Sequence, residues 1–379
     1  MAEVSVSEFR QELVPPVKDS VEAFSKLFYL LGTVTRPSKI KTPKDDPDGV
    51  IQRSLITRSV RKELLAKFRH LPKEDEEGRA GILAEAHDWD RLGKEFLSQA
   101  EVSVEIPSLG KQKSRINILK PHFKENSFKN EEPPIFMIPG ISNDLDCVAY
   151  IAQALARSGR TVITVAHPES FMGETTKEFA EAVNLESDFK PHAEFFKAVL
   201  EKVVPSGSTV ELWGLSTGAP IAAKMLNEKS IQDRVSRAVF LSPAGCVSQS
   251  DLSMKIGILE DTARTLLRYS DIMPKFVMTE ARKDGATAEL SGRRKFIMKN
   301  IFKLIEHNNP KKWENMRVRE GGNIVVLAGG KDNITKSYKC GEVFAQNPQV
   351  NYAVIPNECH STSFNSSAVL EKISSLQSV

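Results

Sequence analysis

Residues 209–229 read TVELWGLSTGAPIAAKMLNEK, a strand, a tight turn and a helix in immediate succession. Its first five residues are an apolar strand pattern, and its second half carries the small and apolar residues of a buried helix. Between them lies Gly214-Leu215-Ser216-Thr217-Gly218, a G-x-S-x-G pattern set at a strand-to-helix turn. A turn that sharp lifts a serine hydroxyl above the end of a sheet. It needs small residues on either side, because the backbone crowds itself there.

Working outward, the flanking chain alternates strand and helix signals. On the N-terminal side these are VSVEI, SRINIL and PPIFMIPG, then the helix-like DCVAYIAQALARSG, the strand RTVITVAHP and the helix-like PHAEFFKAVLEKVVPSG. On the C-terminal side SRAVFLSPAG is a strand, and strand signals return only at GGNIVVLAGG and NYAVIP. Runs such as IFMI, VITV and AVFL lack polar alternation, as burial on both faces of a parallel sheet requires. The expected class is α/β, with helices covering the sheet.

Two further segments are set apart. Residues 1–95 carry helical patterns, and Val60, Leu64 and Phe68 would line one helical face; the basic residues Arg58, Arg61, Lys62, Lys67 and Arg69 would form a solvated outer face or contact an acidic surface. Residues 246–320 read as an inserted helical segment holding 15 Lys and Arg against 10 Asp and Glu, in a chain whose formal net charge is only +3. Within it, RRKFIMKNIFKLIE places Lys295, Lys299 and Lys303 on one face, suited to covering the sheet domain or to meeting a membrane surface or an anionic substrate. The expected organisation is therefore a helical extension over 1–95, a core over 96–245 and 321–379, and the insertion over 246–320.

A serine hydroxyl needs a base within hydrogen-bond reach and a third group to orient that base. Of the seven histidines, His360 alone follows a late strand and precedes a helical tail, in the loop NECHSTSF. His167 and His192 read as structural, although His167 ends a strand and could line the same cleft. Asp332, in the loop after IVVLAG, is the expected orienting acid, with Asp251 in reserve. The chain order Ser216, Asp332, His360 is the one that accompanies this turn type. Backbone N–H groups of Thr217 and of Ile141, in the loop IPGISND, are the expected oxyanion donors.

IPGISND after a strand, GLSTG at the turn, GGKD at the acid and ECHS around the histidine together resemble the α/β-hydrolase superfamily, over about residues 100–379. The resemblance implies a mostly parallel eight-stranded sheet flanked by helices, with the helical insertion as a lid after the sixth strand. The usual His-Gly pair of the oxyanion loop is replaced by Pro139-Gly140. The activity it implies is cleavage of a small acyl ester or thioester by Ser216, His360 and Asp332. Acyl transfer or carbon–carbon bond hydrolysis by the same residues is the alternative, and a non-catalytic scaffold on the same fold is a third reading.

The rest of the sequence narrows the field. Near-neutral charge argues against a nucleic-acid partner. No dinucleotide, phosphate-loop or HExxH pattern implies a cofactor, and His87, Asp88 and Asp90 read as a polar helix surface rather than metal ligands. Four scattered cysteines read as free thiols, and the N-terminus lacks a secretory pattern, so the expected location is the cytoplasm. Phe171 and Met172 are candidates to line a substrate pocket.

Overall fold

The computed structural model describes residues 74–96, 100–120, 132–140, 145–170, 173–185, 189–247, 316–360 and 367–376, together with single residues between 64 and 72, between 250 and 261, and at 313. Its strands are β1 (Ala100–Ile106), β2 (Gly110–Leu119), β3 (Ile135–Ile138), β4 (Val162–Val165), β5 (Val210–Leu215), β6 (Val235–Leu241), β7 (Asn323–Gly329) and β8 (Val350–Ile355). The helices are α1 (Glu76–Phe96), α2 (Ala149–Arg157), α3 (Lys177–Leu185), α4 (Lys190–Val203), α5 (Gly218–Met225), α6 (Lys229–Gln232), α7 (Gly341–Ala345) and α8 (Ser367–Ser375).

The strands form one eight-stranded sheet in the order β1-β2-β4-β3-β5-β6-β7-β8. β1 pairs antiparallel with β2, and β2 antiparallel with β4; every later pairing is parallel. The apolar runs that lacked alternation are central strands buried on both faces. In β3, Phe136 and Ile138 join one core while Ile135 and Met137 join the other. β6 divides in the same way, Ala238 and Phe240 against Val239 and Leu241. The first core is closed by Phe179 of α3, Phe195, Phe196 and Val199 of α4 and Ile221 of α5. The second is closed by Ile151 and Leu155 of α2 and Val369 and Ile373 of α8.

Leu64 and Phe68 are buried with Ile82 and Ala86 of α1, against Ala154 and Leu370. The apolar face read from the sequence therefore docks on the α2 and α8 side of the sheet; Val60 and Arg58 lie outside the described residues. Most of the insertion, with Lys295, Lys299 and Lys303, also lies outside them. Its described start is tied to the loop after β7: Asn333 Nδ2 donates to Glu260 (2.6 Å) and Lys336 Nζ to Ser253 Oγ (2.6 Å). Among the described residues, no helix is long and apolar enough to cross a membrane.

The lower edge of the parallel strands holds a buried charge network. Glu211 of β5 accepts from Arg237 of β6 in a two-pronged pair, from Nη2 (2.7 and 2.8 Å) and Nε (3.1 Å), pairs with Arg160 (2.8 Å) and accepts from Trp213 Nε1 (3.2 Å). Glu211→Ala would take the shared carboxylate from the largely buried Arg237 and leave Arg160 paired only with the exposed Glu132 (2.8 Å). We expect it to destabilise the fold by about 3–5 kcal/mol in denaturant titration, because an unpaired buried charge cannot recover its hydration.

Candidate active site

Ser216 stands where β5 turns into α5, with φ of 54°, in the left-handed region that a side chain rarely occupies. Its N–H donates to Leu241 O (2.9 Å), and its carbonyl accepts from Ala219 and Ala244 (both 3.1 Å), so the turn is held from both sides. The two glycines of the motif are required by close approach. A Cβ on Gly214 would lie 2.6 Å from Ala219 Cα, and one on Gly218 would lie 2.2 Å from Ile138 O and 2.6 Å from Pro139 O. α5 thus starts directly against the end of β3, where the loop bearing Ile141 departs.

His360 follows β8 and Asp332 follows β7, so neighbouring parallel strands deliver both to the same edge as Ser216. Backbone bonds between the two loops, Gly330 N to Ile355 O and Lys331 N to Glu358 O (both 2.8 Å), fix their separation. Ser216 Oγ lies 2.8 Å from His360 Nε2, and His360 Nδ1 lies 2.9 Å from Asp332 Oδ2. Asp332 is fully buried, while Ser216 and His360 keep a sliver of exposure.

Asp332 Oδ1 accepts from the N–H groups of Ile334 and Thr335 (both 3.0 Å), and Oδ2 also accepts from Thr335 Oγ1 (2.7 Å). Burial alone would push its carboxyl up. The positive charge and hydrogen bond of His360, with the Thr335 donors, outweigh that and hold it below the usual range. For His360 burial pushes down, and the charge and hydrogen bond of Asp332, helped by the charge of Asp261, raise it above its ordinary 6.5. A carboxylate that stays ionised beside an imidazole that stays basic is the pairing needed to draw a proton from a hydroxyl.

A family model described as the alpha/beta hydrolase fold matches residues 133–366. The chain belongs to the alpha/beta hydrolase fold family. Among solved structures, an esterase from Exiguobacterium antarcticum is 13% identical, with a TM-score of 0.53 over 73% of this chain and 99% of its own. A thermophilic esterase from Thermogutta terrifontis is 13% identical, with a TM-score of 0.54 over 73% and 98%. A bromoperoxidase from Bacillus anthracis is 15% identical, with a TM-score of 0.51 over 72% and 99%. At such identities the likeness is one of fold. No curated protein matches the sequence.

In this hydrolase-fold chain, the structure brings Ser216, Asp332 and His360 together as the loop order led us to expect. Thr217 caps the start of α5, directly after Ser216. Ile141 lies outside the described residues, as do Asp251, Phe171 and Met172; His87 is exposed on α1. His167 and His192 are buried and do not meet Ser216; they meet Glu169 instead. Two groups escaped sequence reasoning. Asp261, buried in the insertion, adds to the field at His360, and Glu169 joins the two histidines. Asp261 acts on His360, and Glu169 meets His192, across long sequence separations with no local pattern to reveal the contact. Among the described residues, Cys246, Cys340 and Cys359 are buried and form no disulfide.

Proposed function

We propose that this protein is a serine hydrolase that cleaves a carboxylic ester or thioester through an acyl-enzyme. The observation that carries the proposal is the continuous hydrogen-bonded series from Ser216 Oγ through His360 to Asp332 Oδ2. Membership of the alpha/beta hydrolase fold family supports it.

With Asp332 accepting from Nδ1–H, the lone pair of His360 Nε2 faces Ser216 Oγ–H. Ser216 Oγ attacks the acyl carbon as its proton passes to Nε2. The negative charge formed on the carbonyl oxygen is met by the Thr217 and Ile141 N–H groups, the former favoured by its place at a helix N-terminus. His360 then gives its proton to the leaving alcohol or thiol. Water enters, loses a proton to His360 and releases the acid, restoring Ser216. No step in this sequence calls for a metal or organic cofactor. Buried cysteines without disulfides among the described residues fit a cytoplasmic setting.

The test is turnover of a panel of short- and long-chain acyl esters and thioesters, with and without a competing alcohol or thiol acceptor. Hydrolysis is expected. Dominant transfer at low acceptor concentration would make the protein an acyltransferase on the same residues, and no turnover of any member would overturn the reading.

The rate should also depend on pH in a set direction. Only neutral His360 accepts the serine proton, and its environment raises it above 6.5. We expect kcat/KM to climb through an apparent pKa above that value and to level off on the alkaline side, read from initial rates across a buffer series.

A further inference from the structure

Outside the serine site the structure assigns a second cluster, His167, Glu169 and His192, which we propose binds a divalent metal ion, zinc being the best fit to its donors. His167 lies in the loop just after β4, Glu169 is two residues on, and His192 sits in the first turn of α4; all three are buried. One ligand atom from each lies within 4.8 Å of the other two. Two imidazole nitrogens and a carboxylate oxygen are a donor set that zinc takes readily.

The geometry favours an ion over a simple hydrogen-bonded cluster. His167 Nε2 lies 2.8 Å from Pro139 O, and a carbonyl only accepts, so that nitrogen carries the hydrogen. In a neutral ring the lone pair is then on Nδ1, which faces Glu169 Oε1 at 3.4 Å. Two acceptors at that distance repel unless a cation lies between them. A second proton on the ring would call for a charge-assisted bond of about 2.7–2.9 Å, shorter than the contact seen.

By contrast, ligands about 2.0–2.1 Å from a tetrahedral zinc ion stand about 3.3 Å from one another. The Glu169 Oε1 separations, 3.4 Å to His167 Nδ1 and 3.1 Å to His192 Nε2, are edges of that size. Glu169 Oε2 and the Nδ1 atoms of both rings have no hydrogen-bond partner among the described residues.

The surroundings would hold the two imidazole ligands in place. Phe196 meets His167 edge-on at 5.1 Å, and Phe179 meets His192 at 5.2 Å, fixing both rings in an apolar shell. The hydrogen bond from the far nitrogen of His167 to a backbone carbonyl is the arrangement that sets the tautomer of a metal-bound imidazole. Here that carbonyl belongs to Pro139, at the start of the loop bearing Ile141. The ion would therefore hold β4, α4 and that loop together, and its binding does not depend on Ser216 being a nucleophile.

Equilibrium dialysis of the chelator-stripped full chain against zinc, with metal counted by mass spectrometry, tests the site. One zinc per chain is expected, with a melting temperature that falls on chelation. Two variants locate it. Glu169→Gln should weaken zinc binding about 100-fold or more. His192→Phe, which keeps an aromatic ring among the phenylalanines, should bind no zinc and melt at the same temperature with or without chelator. Cobalt substitution of the wild type needs no variant: a visible spectrum of nitrogen and oxygen ligands is expected. A strong thiolate charge-transfer band, zinc binding undiminished in folded His192→Phe, or less than half an equivalent bound by the wild type would each overturn the proposal.

Discussion

Ser216→Ala will lower ester hydrolysis by about a thousand- to a million-fold while leaving the fold intact. Removing Oγ removes the atom that the proposed reaction uses to form the acyl-enzyme. What survives is binding and the oxyanion donors, which act on water attack alone. The loss should fall in kcat, because Oγ contributes little to holding substrate in the ground state. A companion substitution separates chemistry from folding. Ser216 pays for its φ of 54° in backbone strain, and glycine adopts that conformation freely. Ser216→Gly should therefore be as inactive as Ser216→Ala yet more stable by about 1 kcal/mol, read from the denaturant midpoint.

Asp332→Asn will lower kcat by about ten-thousand-fold, and the hydrogen bonds say why. Oδ1 accepts from two fixed backbone N–H groups, of Ile334 and Thr335, whereas Oδ2 faces His360 Nδ1. An asparagine has one accepting oxygen, and the backbone donors claim it. Its NH2 then points at His360 Nδ1, which can accept only if the ring proton moves to Nε2. That places N–H, not a lone pair, against Ser216 Oγ, and the base is lost. The same change removes the charge that raises His360, so the acid limb of any residual activity should move to lower pH. Steady-state kinetics over pH check both effects. An Asp332→Asn protein within tenfold of wild type would assign the orienting role to another acid.

Much of this site was legible in the sequence because its chemistry sits in strand-end loops. Gly214 and Gly218 leave a visible pattern, since no side chain fits where α5 meets β5 and β3. Asp332 and His360 could be found because parallel strands deliver their C-terminal loops to one edge. The doubly buried runs IFMI and AVFL gave away the central strands by their lack of polar residues. The antiparallel pairing of β1, β2 and β4 was not legible: strand patterning reports which faces are buried, not which strand lies alongside. Nor was the Glu211 network, where an acid in a strand core reads as an anomaly until Arg160 and Arg237 are seen around it. His167 and His192 looked structural for the same reason. Their meeting at Glu169 depends on how the loop after β4 and α4 pack, with Glu169 and His192 23 positions apart and no ligand spacing to betray it.

The most direct test of the central claim is covalent labelling of the folded protein with a fluorophosphonate, followed by intact-mass measurement and peptide mapping. The serine oxygen displaces fluoride from phosphorus as His360 takes its proton, so the probe reports an activated hydroxyl without any knowledge of the substrate. The account predicts one adduct per chain, on Ser216, absent in Ser216→Ala and formed far more slowly in Asp332→Asn. A folded wild-type protein that forms no adduct, or forms it on another residue, would contradict it.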